Sequence, residues 1–98
     1  MTTEITKNAA EVVIRICGRL DTVTAPRLEK TIQEEIGNLK TLILDMKDLE
    51  YISSAGLRVL LSAQKNMQKI GTMKVVNVSE AVMEVFDITG FTDILTIE

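Results

Sequence analysis

The hydrophobic residues of this chain occur in short runs that are separated by longer, partly polar stretches. Most of the runs are rich in Val, Ile and Leu, which is typical of β-strands. They predict strands at residues 3–6, 12–17, 41–45, 73–78 and 94–97. The run at 41–45 lacks polar alternation, and it therefore indicates a strand that is buried on both faces of a sheet.

Several stretches between the runs have apolar residues at the three-to-four spacing that marks one face of an amphipathic helix. They predict three helices that begin near Thr24, Ser54 and Ser79, because hydroxyl residues are favoured caps of helix N-termini. Each helix is expected to end at a glycine, at positions 37, 71 and 90. In the second helix the predicted buried residues are Leu57, Leu60, Leu61 and Ile70.

The alternation of strands and helices predicts an α/β fold in which right-handed crossovers build a mainly parallel central sheet. The predicted order is β-β-α-β-α-β-α-β. Residues 7–10 predict a turn, so the first two strands are expected to form an antiparallel hairpin at the edge of the sheet. A chain of 98 residues without a linker or an internal repeat fits one domain, residues 1–98.

The composition excludes several classes of function. The chain has no His and one Cys, Cys17, which removes the usual zinc sites and the commonest general base. Neither the glycine-rich phosphate loop nor the dinucleotide fingerprint occurs in the sequence. We therefore expect no cofactor, no bound metal and no enzymatic activity of the chain itself.

Charge and hydropathy narrow the choice of partners. The formal net charge is −3 and the basic residues are scattered, which argues against direct binding of nucleic acid. No apolar stretch approaches the roughly 20 residues of a membrane span, and the first residues do not resemble a signal peptide. A single cysteine fits a reducing compartment. These features predict a cytoplasmic protein that does not insert into a membrane.

The segment Ile52–Leu57 carries the most specific chemistry of the sequence. Functional groups of open α/β sheets gather beyond the carboxyl ends of strands, and Ser53 and Ser54 fall where a helix begins. Either hydroxyl can cap the helix, and either can carry a phosphate, because a helix N-terminus favours anions. No Glu or Gln follows three residues later, so no capping box supports a purely structural role. Gly56 is unusual in a first helical turn, and its lack of a Cβ lets another backbone or a nucleotide approach closely.

Two separate blocks resemble the STAS domain family, and specifically the stand-alone anti-sigma factor antagonists of bacteria. Residues 52–61, with the sequence ISSAGLRVLL, are similar to the family signature. Residues 18–21, with the sequence GRLD, are followed by Thr24, Ala25 and Leu28. This second block is similar to the family pattern Gly-x-Leu-Asp…Thr-Ala-x-x-Leu. The resemblance extends over essentially the whole chain, which makes it specific.

The resemblance implies a regulatory switch in which the chain is the substrate and not the catalyst. The unphosphorylated protein would bind an anti-sigma factor, which is also a serine kinase, and so release a sigma factor for transcription. The kinase would phosphorylate the serine two residues before the glycine, here Ser54, and a protein phosphatase would reverse the modification. Many members have Asp directly before the phosphoacceptor. Here that residue is Ser53, so two adjacent hydroxyls are open to a kinase.

The resemblance also implies a partner-binding surface that comprises Asp21, Ser53, Ser54, Gly56 and Arg58. For Asp21 the residues alone suggest an equally good alternative, an acid that holds the turn before the first helix. Arg58 has two alternatives as well, because it can pair with a phosphate on Ser54 or remain solvated. We expect the solvated state.

A second function stays open at this point. A STAS subunit of a membrane transport complex would use the same surface to bind its ATPase constitutively, and no phosphorylation would be needed. The physical partner distinguishes the two functions, since one is a serine kinase that binds a sigma factor and the other is a transporter ATPase.

Overall fold

The computed structural model describes residues 1–37 and 40–98. Its strands are β1 (Thr2–Asn8), β2 (Glu11–Leu20), β3 (Thr41–Asp45), β4 (Leu49–Ile52) and β5 (Thr72–Val76). Its helices are α1 (Ala25–Glu35), α2 (Ser54–Ile70) and α3 (Glu80–Thr89), followed by a 3₁₀ turn at Phe91–Asp93. The three predicted helices are confirmed.

The strands form a mixed, mostly parallel sheet, which confirms the predicted fold class. β1 and β2 pair antiparallel as the edge hairpin. β2 pairs with β3, and β3 with β5, both in parallel, so the strand order is β1-β2-β3-β5. β4 lies off this path and runs parallel to the carboxyl-terminal end of β2.

Two elements differ from the sequence-based expectation. The sequence predicts no strand between residues 45 and 54, but β4 lies there. This strand has only four residues, includes the polar Glu50, and owes its pairing to β2 rather than to its own pattern. The strand predicted at 94–97 does not form. The 3₁₀ turn redirects the chain, and the end of the chain makes only an isolated bridge between Ile97 and Val75.

The core is built from one buried face of β2, β3 and β5 and from the inner faces of the helices. Along β3, Leu42 and Leu44 are buried but Ile43 is half-buried, so the prediction of a strand buried on both faces is wrong. The prediction for Ile70 is also wrong, because this side chain is 46% exposed. It is the last residue of α2 and has no following helical turn to cover it. The fully buried residues with the largest side chains are Phe86, Ile14, Ile16, Leu20, Leu28, Leu42, Leu44, Met46, Leu60, Met67, Met73 and Val75.

The carboxyl ends of β2 and β4 lie side by side at one edge of the sheet. Gly18 has a positive φ of 90°, a conformation that glycine adopts without steric cost, and the β2–β4 register shifts directly after it. Beyond this irregularity the N–H of Ser53 donates to the carbonyl of Leu20 at 2.9 Å. The turn that follows β2 and the start of α2 are therefore joined at the edge where function was expected.

Candidate functional site

Ser53 is the N-cap of α2. Its backbone is extended, with φ −96° and ψ 174°, and its Oγ accepts a hydrogen bond from the N–H of Gly56 at 3.3 Å. Its carbonyl accepts the first helical bond, from the N–H of Leu57, at 2.9 Å. Of the two serines that the sequence offers as caps, the structure therefore selects Ser53.

Ser54 is the first residue of α2, and its side chain is exposed. Within residues 1–37 and 40–98, none of the side-chain hydrogen bonds involves the Ser54 hydroxyl, whereas the neighbouring Ser53 hydroxyl is half-buried and engaged. The first turn also contains no acidic residue that would offset the positive end of the helix dipole. Ser54 is thus an accessible hydroxyl in an environment that favours a negative charge.

Gly56 is buried, and its open side faces the interior of the domain. A Cβ at this position would lie 2.8 Å from Leu20 Cγ and 2.9 Å from Ile52 Cγ1, closer than real Cβ contacts. The expectation that another backbone or a nucleotide approaches this glycine is wrong, because the side chains of Leu20 and Ile52 fill the space. Gly56 instead allows α2 to begin directly against β2 and β4.

The carboxylate of Asp21 holds the turn between β2 and α1. Its Oδ1 accepts hydrogen bonds from the N–H groups of Val23 and Thr24, both at 3.0 Å. The Thr24 hydroxyl accepts from the N–H of Asp21 at 2.9 Å, and it lies 2.8 Å from the carbonyl of Arg19 and 3.1 Å from Asp21 Oδ1. Asp21 therefore has the turn-forming role that was the alternative to partner contact, although its side chain remains half-exposed.

Thr24 occupies the N-cap position of α1 but does not cap the helix with its side chain. Its backbone is already helical, with φ −90° and ψ −22°, and its hydroxyl makes no cap hydrogen bond. The hydroxyl is buried in the preceding turn instead, where Asp21 and Arg19 are its partners. The predicted start of the helix is confirmed, but the predicted role of this hydroxyl is wrong.

The turn also holds Asp21 as an anion. Its pKa lies below the ordinary value of 3.8, chiefly because the N–H of Thr24 donates to the carboxylate. Burial opposes this effect, and the Thr24 hydroxyl, the N–H of Val23 and the charge of Arg19 add to it. A fixed negative charge therefore stands at the same sheet edge as Ser54.

Arg58 lies one helical turn beyond Ser54 and is exposed. It lines an open groove between α1 and α2, with a volume of about 370 Å³. The other residues that line this groove are Thr22, Ala25, Pro26, Glu29, Ala55, Val59 and Ser62. Across the part of the chain that the structure describes, no three Asp, Glu, Cys or His side chains are grouped closely enough to hold a metal ion.

A contact between Arg19 and Tyr51 at this edge is not predicted from the sequence. The guanidinium carbon of Arg19 lies 4.1 Å from the centre of the Tyr51 ring, a cation–π geometry. The two residues are direct partners in the β2–β4 register, and Tyr51 is 41% exposed. Their contact depends on the pairing of β2 with β4, and the sequence does not predict β4.

The comparisons with known proteins agree with this architecture. Residues 1–98 match the model of the STAS domain. The anti-sigma-B factor antagonist of Bacillus subtilis (strain 168) is 32% identical over 95 residues, which cover 96% of this chain and 87% of the relative.

Two solved structures have a similar fold. The anti-sigma factor antagonist SpoIIAA in its unphosphorylated form has a TM-score of 0.85 at 23% identity, over 99% of this chain and 88% of that chain. The Bacillus cell fate determinant SpoIIAA in the phosphorylated form has a TM-score of 0.78 at 22% identity, over 99% of this chain and 91% of that chain.

Within residues 1–37 and 40–98 the longest helix, α2, has 17 residues, and no helix combines the length and the apolar character that a bilayer span requires. The family match covers the two blocks that the sequence singled out, and the fold joins those blocks at one edge of the sheet. This chain belongs to the STAS domain family.

Proposed function

We propose that this chain is an anti-sigma factor antagonist whose binding is switched off by phosphorylation of Ser54. In its unphosphorylated form it binds an anti-sigma factor that is also a serine kinase, and the sigma factor is released for transcription. The name of the Bacillus subtilis relative, which matches 96% of this chain, supports this function over that of a transporter subunit. The related fold of SpoIIAA, described in phosphorylated and unphosphorylated forms, agrees with a phosphoswitch.

Ser54 is proposed as the phosphoacceptor because the hydroxyls of Ser53 and Ser54 have different environments. Ser53 accepts a hydrogen bond from the helix and is half-buried, whereas Ser54 is exposed. Phosphoryl transfer to Ser53 would have to reach a half-buried oxygen that already accepts the Gly56 N–H. Transfer to Ser54 would disturb no side-chain hydrogen bond found among the described residues. Many family members have Asp directly before the phosphoacceptor, where this chain has Ser53. Asp and Ser are both favoured N-caps, so Ser53 can cap the helix in place of that Asp.

A phosphate on Ser54 is compatible with the fold, so the switch acts through the surface. The first turn of a helix tolerates an anion, because its free N–H groups and the dipole favour negative charge. The phosphate adds about −1.5 to −2 charges at neutral pH. A partner that packs on the hydroxyl, or that presents carboxylates or nucleotide phosphates to it, is repelled. A loss of about 2.7 kcal/mol reduces affinity roughly a hundredfold.

The proposed binding surface is formed by Asp21, Ser53, Ser54, Gly56 and Arg58, which do not all act in the same way. Ser54 and Arg58 are exposed and available for direct contact. Asp21 is half-exposed and presents a carboxylate whose position the turn fixes. Ser53 and Gly56 contribute indirectly, one by capping α2 and the other by letting it start close to the sheet.

The chemistry of the switch belongs to the partners. The kinase transfers the γ-phosphoryl group of ATP to Ser54 Oγ, which loses its proton, and a protein phosphatase hydrolyses the resulting ester. The chain supplies an accessible acceptor and no catalytic group, so we propose that it is not an enzyme. Because its partners are a sigma-factor regulator and an ATP-dependent kinase, its proposed place of action is the cytoplasm.

A binding titration before and after phosphorylation tests this function. Purified anti-sigma factors of the source organism are titrated with the unmodified protein, and again with protein that has been phosphorylated by the bound kinase and ATP. We expect one of them to bind the unmodified form and to lose about a hundredfold in affinity after modification. Equal affinity for the two forms, or no binding to any of these anti-sigma factors, would contradict the proposal.

A further inference from the structure

Arg58 makes no ion pair with the residues that the structure describes. No carboxylate among residues 1–37 and 40–98 lies within 4.0 Å of its guanidinium, whereas Lys7, Arg15 and Lys74 all have such partners. The side chain is exposed, and it sits in the amino-terminal part of α2, where a positive charge opposes the helix dipole. No ion pair among the described residues accounts for this position.

The position of Arg58 relative to Ser54 is that of an ion pair on a helix surface. The two residues are four apart in α2, so their Cβ atoms lie about 5–6 Å from each other. Long helical side chains point back towards the N-terminus, which carries the Arg58 guanidinium towards Ser54. An anion on the N-terminal side of a cation is the favourable orientation for this spacing. A guanidinium also binds two phosphate oxygens at once.

The other charged groups near this edge do not replace Arg58. Arg19 is occupied by the ring of Tyr51, at 4.1 Å, and its charge acts on Asp21. Asp21 and Glu29, which lies across the groove on α1, are acidic and would repel a phosphate. Of these groups, Arg58 is the cation that the helix spacing places next to Ser54.

We infer that Arg58 is the intramolecular counter-ion of the phosphate on Ser54, so that modification reverses the local charge. Before modification the pair of residues carries +1, from Arg58. Afterwards a phosphate of about −1.5 to −2 engages that cation, and the sum becomes about −0.5 to −1. A partner that attracts Arg58 loses this contact and meets a negative surface. That Ser54 is phosphorylated rests on the proposed function. That Arg58 pairs with a phosphate at this position does not.

Site-specific phosphoserine provides the test, because it requires no kinase. The chain is produced with phosphoserine encoded at position 54, and the second ionisation of the phosphate is followed by ³¹P NMR as a function of pH. A neighbouring cation favours the dianion, so Arg58→Ala should raise the pKa of the phosphate by about 0.5 unit, as for an exposed ion pair. Arg58→Lys should recover part of this shift, and added salt should reduce it.

Lys65→Ala is the matched control. Lys65 is exposed on the same stripe of α2, about 16 Å along the axis from Ser54, and its loss changes the net charge equally. It should leave the pKa of the phosphate unchanged. Equal titration of the wild-type and Arg58→Ala proteins, or an equal shift in Lys65→Ala, would overturn the inference. Failure of a kinase to modify Ser54 would instead count against the proposed function, because this titration does not depend on it.

Discussion

The two turns at the carboxyl edge of the sheet contain similar residues and use them differently. After β2, the Asp21 carboxylate and the Thr24 hydroxyl bond to each other and to nearby backbone groups, and Thr24 is buried. After β4, the Ser53 hydroxyl accepts the N–H of Gly56 at the start of the helix, and Ser54 remains exposed. The first turn uses its polar groups for structure. The second leaves the Ser54 hydroxyl exposed, and this makes Ser54 a candidate for modification.

The largest expected effect on binding comes from changing the exposed hydroxyl of Ser54. Ser54→Asp adds one negative charge where the phosphate would add about two, so we expect binding to the anti-sigma factor to weaken about tenfold or more. The free energy of unfolding should change by less than about 0.5 kcal/mol, because the side chain is exposed. Titration calorimetry and urea unfolding measure the two quantities.

Ser54→Ala is the control for this change. It should bind like the wild-type protein and resist phosphorylation, because it removes the acceptor without adding charge. If Ser54→Asp bound as tightly as Ser54→Ala, charge at this position would not be the basis of the switch.

Breaking the other turn should affect stability instead. Thr24→Val removes a buried hydroxyl and leaves the N–H of Asp21 and the carbonyl of Arg19 without that partner. We expect the free energy of unfolding to fall by about 2 kcal/mol, since an unsatisfied buried polar group costs about 1–3 kcal/mol. The matched variant Thr22→Val, at an exposed position of the same turn, should stay within about 0.5 kcal/mol of wild type. Comparable losses in both variants would argue against the internal network.

A smaller loss is expected when the cap of the second turn is removed. Ser53→Ala should lower the free energy of unfolding by about 1 kcal/mol, the usual cost of losing an N-cap side chain. Ser53→Asp should retain the stability, because Asp also caps and its charge suits the helix dipole. Urea unfolding of the three proteins at pH 7 checks this ranking. An alanine variant as stable as wild type would show that the 3.3 Å hydrogen bond to Gly56 contributes little.

The smallest effect concerns acid, to which only the first turn should respond. The pKa of Asp21 is lower in the folded protein than the ordinary 3.8, so its anion stabilises the fold. This contribution is complete above the unfolded-state pKa, and it is lost as the pH falls through the lowered folded-state pKa. Compared with wild type, Asp21→Asn should therefore lose less stability between pH 5 and the acid limit of the transition. Parallel stability curves for the two proteins would contradict this.

The helix starts were predictable because Thr24, Ser53–Ser54 and Ser79 precede clear amphipathic stripes. The hydrogen bonds of these hydroxyls were not predictable. A side chain at a helix start can bond to the first turn of the helix, as Ser53 does, or to the preceding turn, as Thr24 does. That choice depends on the backbone angles of the cap residue. It also depends on a neighbour such as Asp21, whose position only the fold defines.

The missed strand and the misassigned glycine share one cause, which is their dependence on distant residues. β4 has four residues and no alternating pattern, and it exists because the end of β2 is free to pair. Gly56 could be recognised as unusual from the sequence. The side chains that pack against Gly56 could not be recognised from the sequence. Leu20 lies 36 residues away in the chain and reaches the helix only through the β2–β4 pairing.

Mapping of the phosphorylated residue shows which of the two hydroxyls is the phosphoacceptor. The wild-type, Ser53→Ala and Ser54→Ala proteins are incubated with the bound kinase and ATP, and the modified site is located by tandem mass spectrometry of the peptide that contains both serines. We expect a single phosphate on Ser54 in the wild-type and Ser53→Ala proteins, and none in Ser54→Ala. A phosphate on Ser53, or its retention in Ser54→Ala, would contradict the division between a capping and a switching hydroxyl.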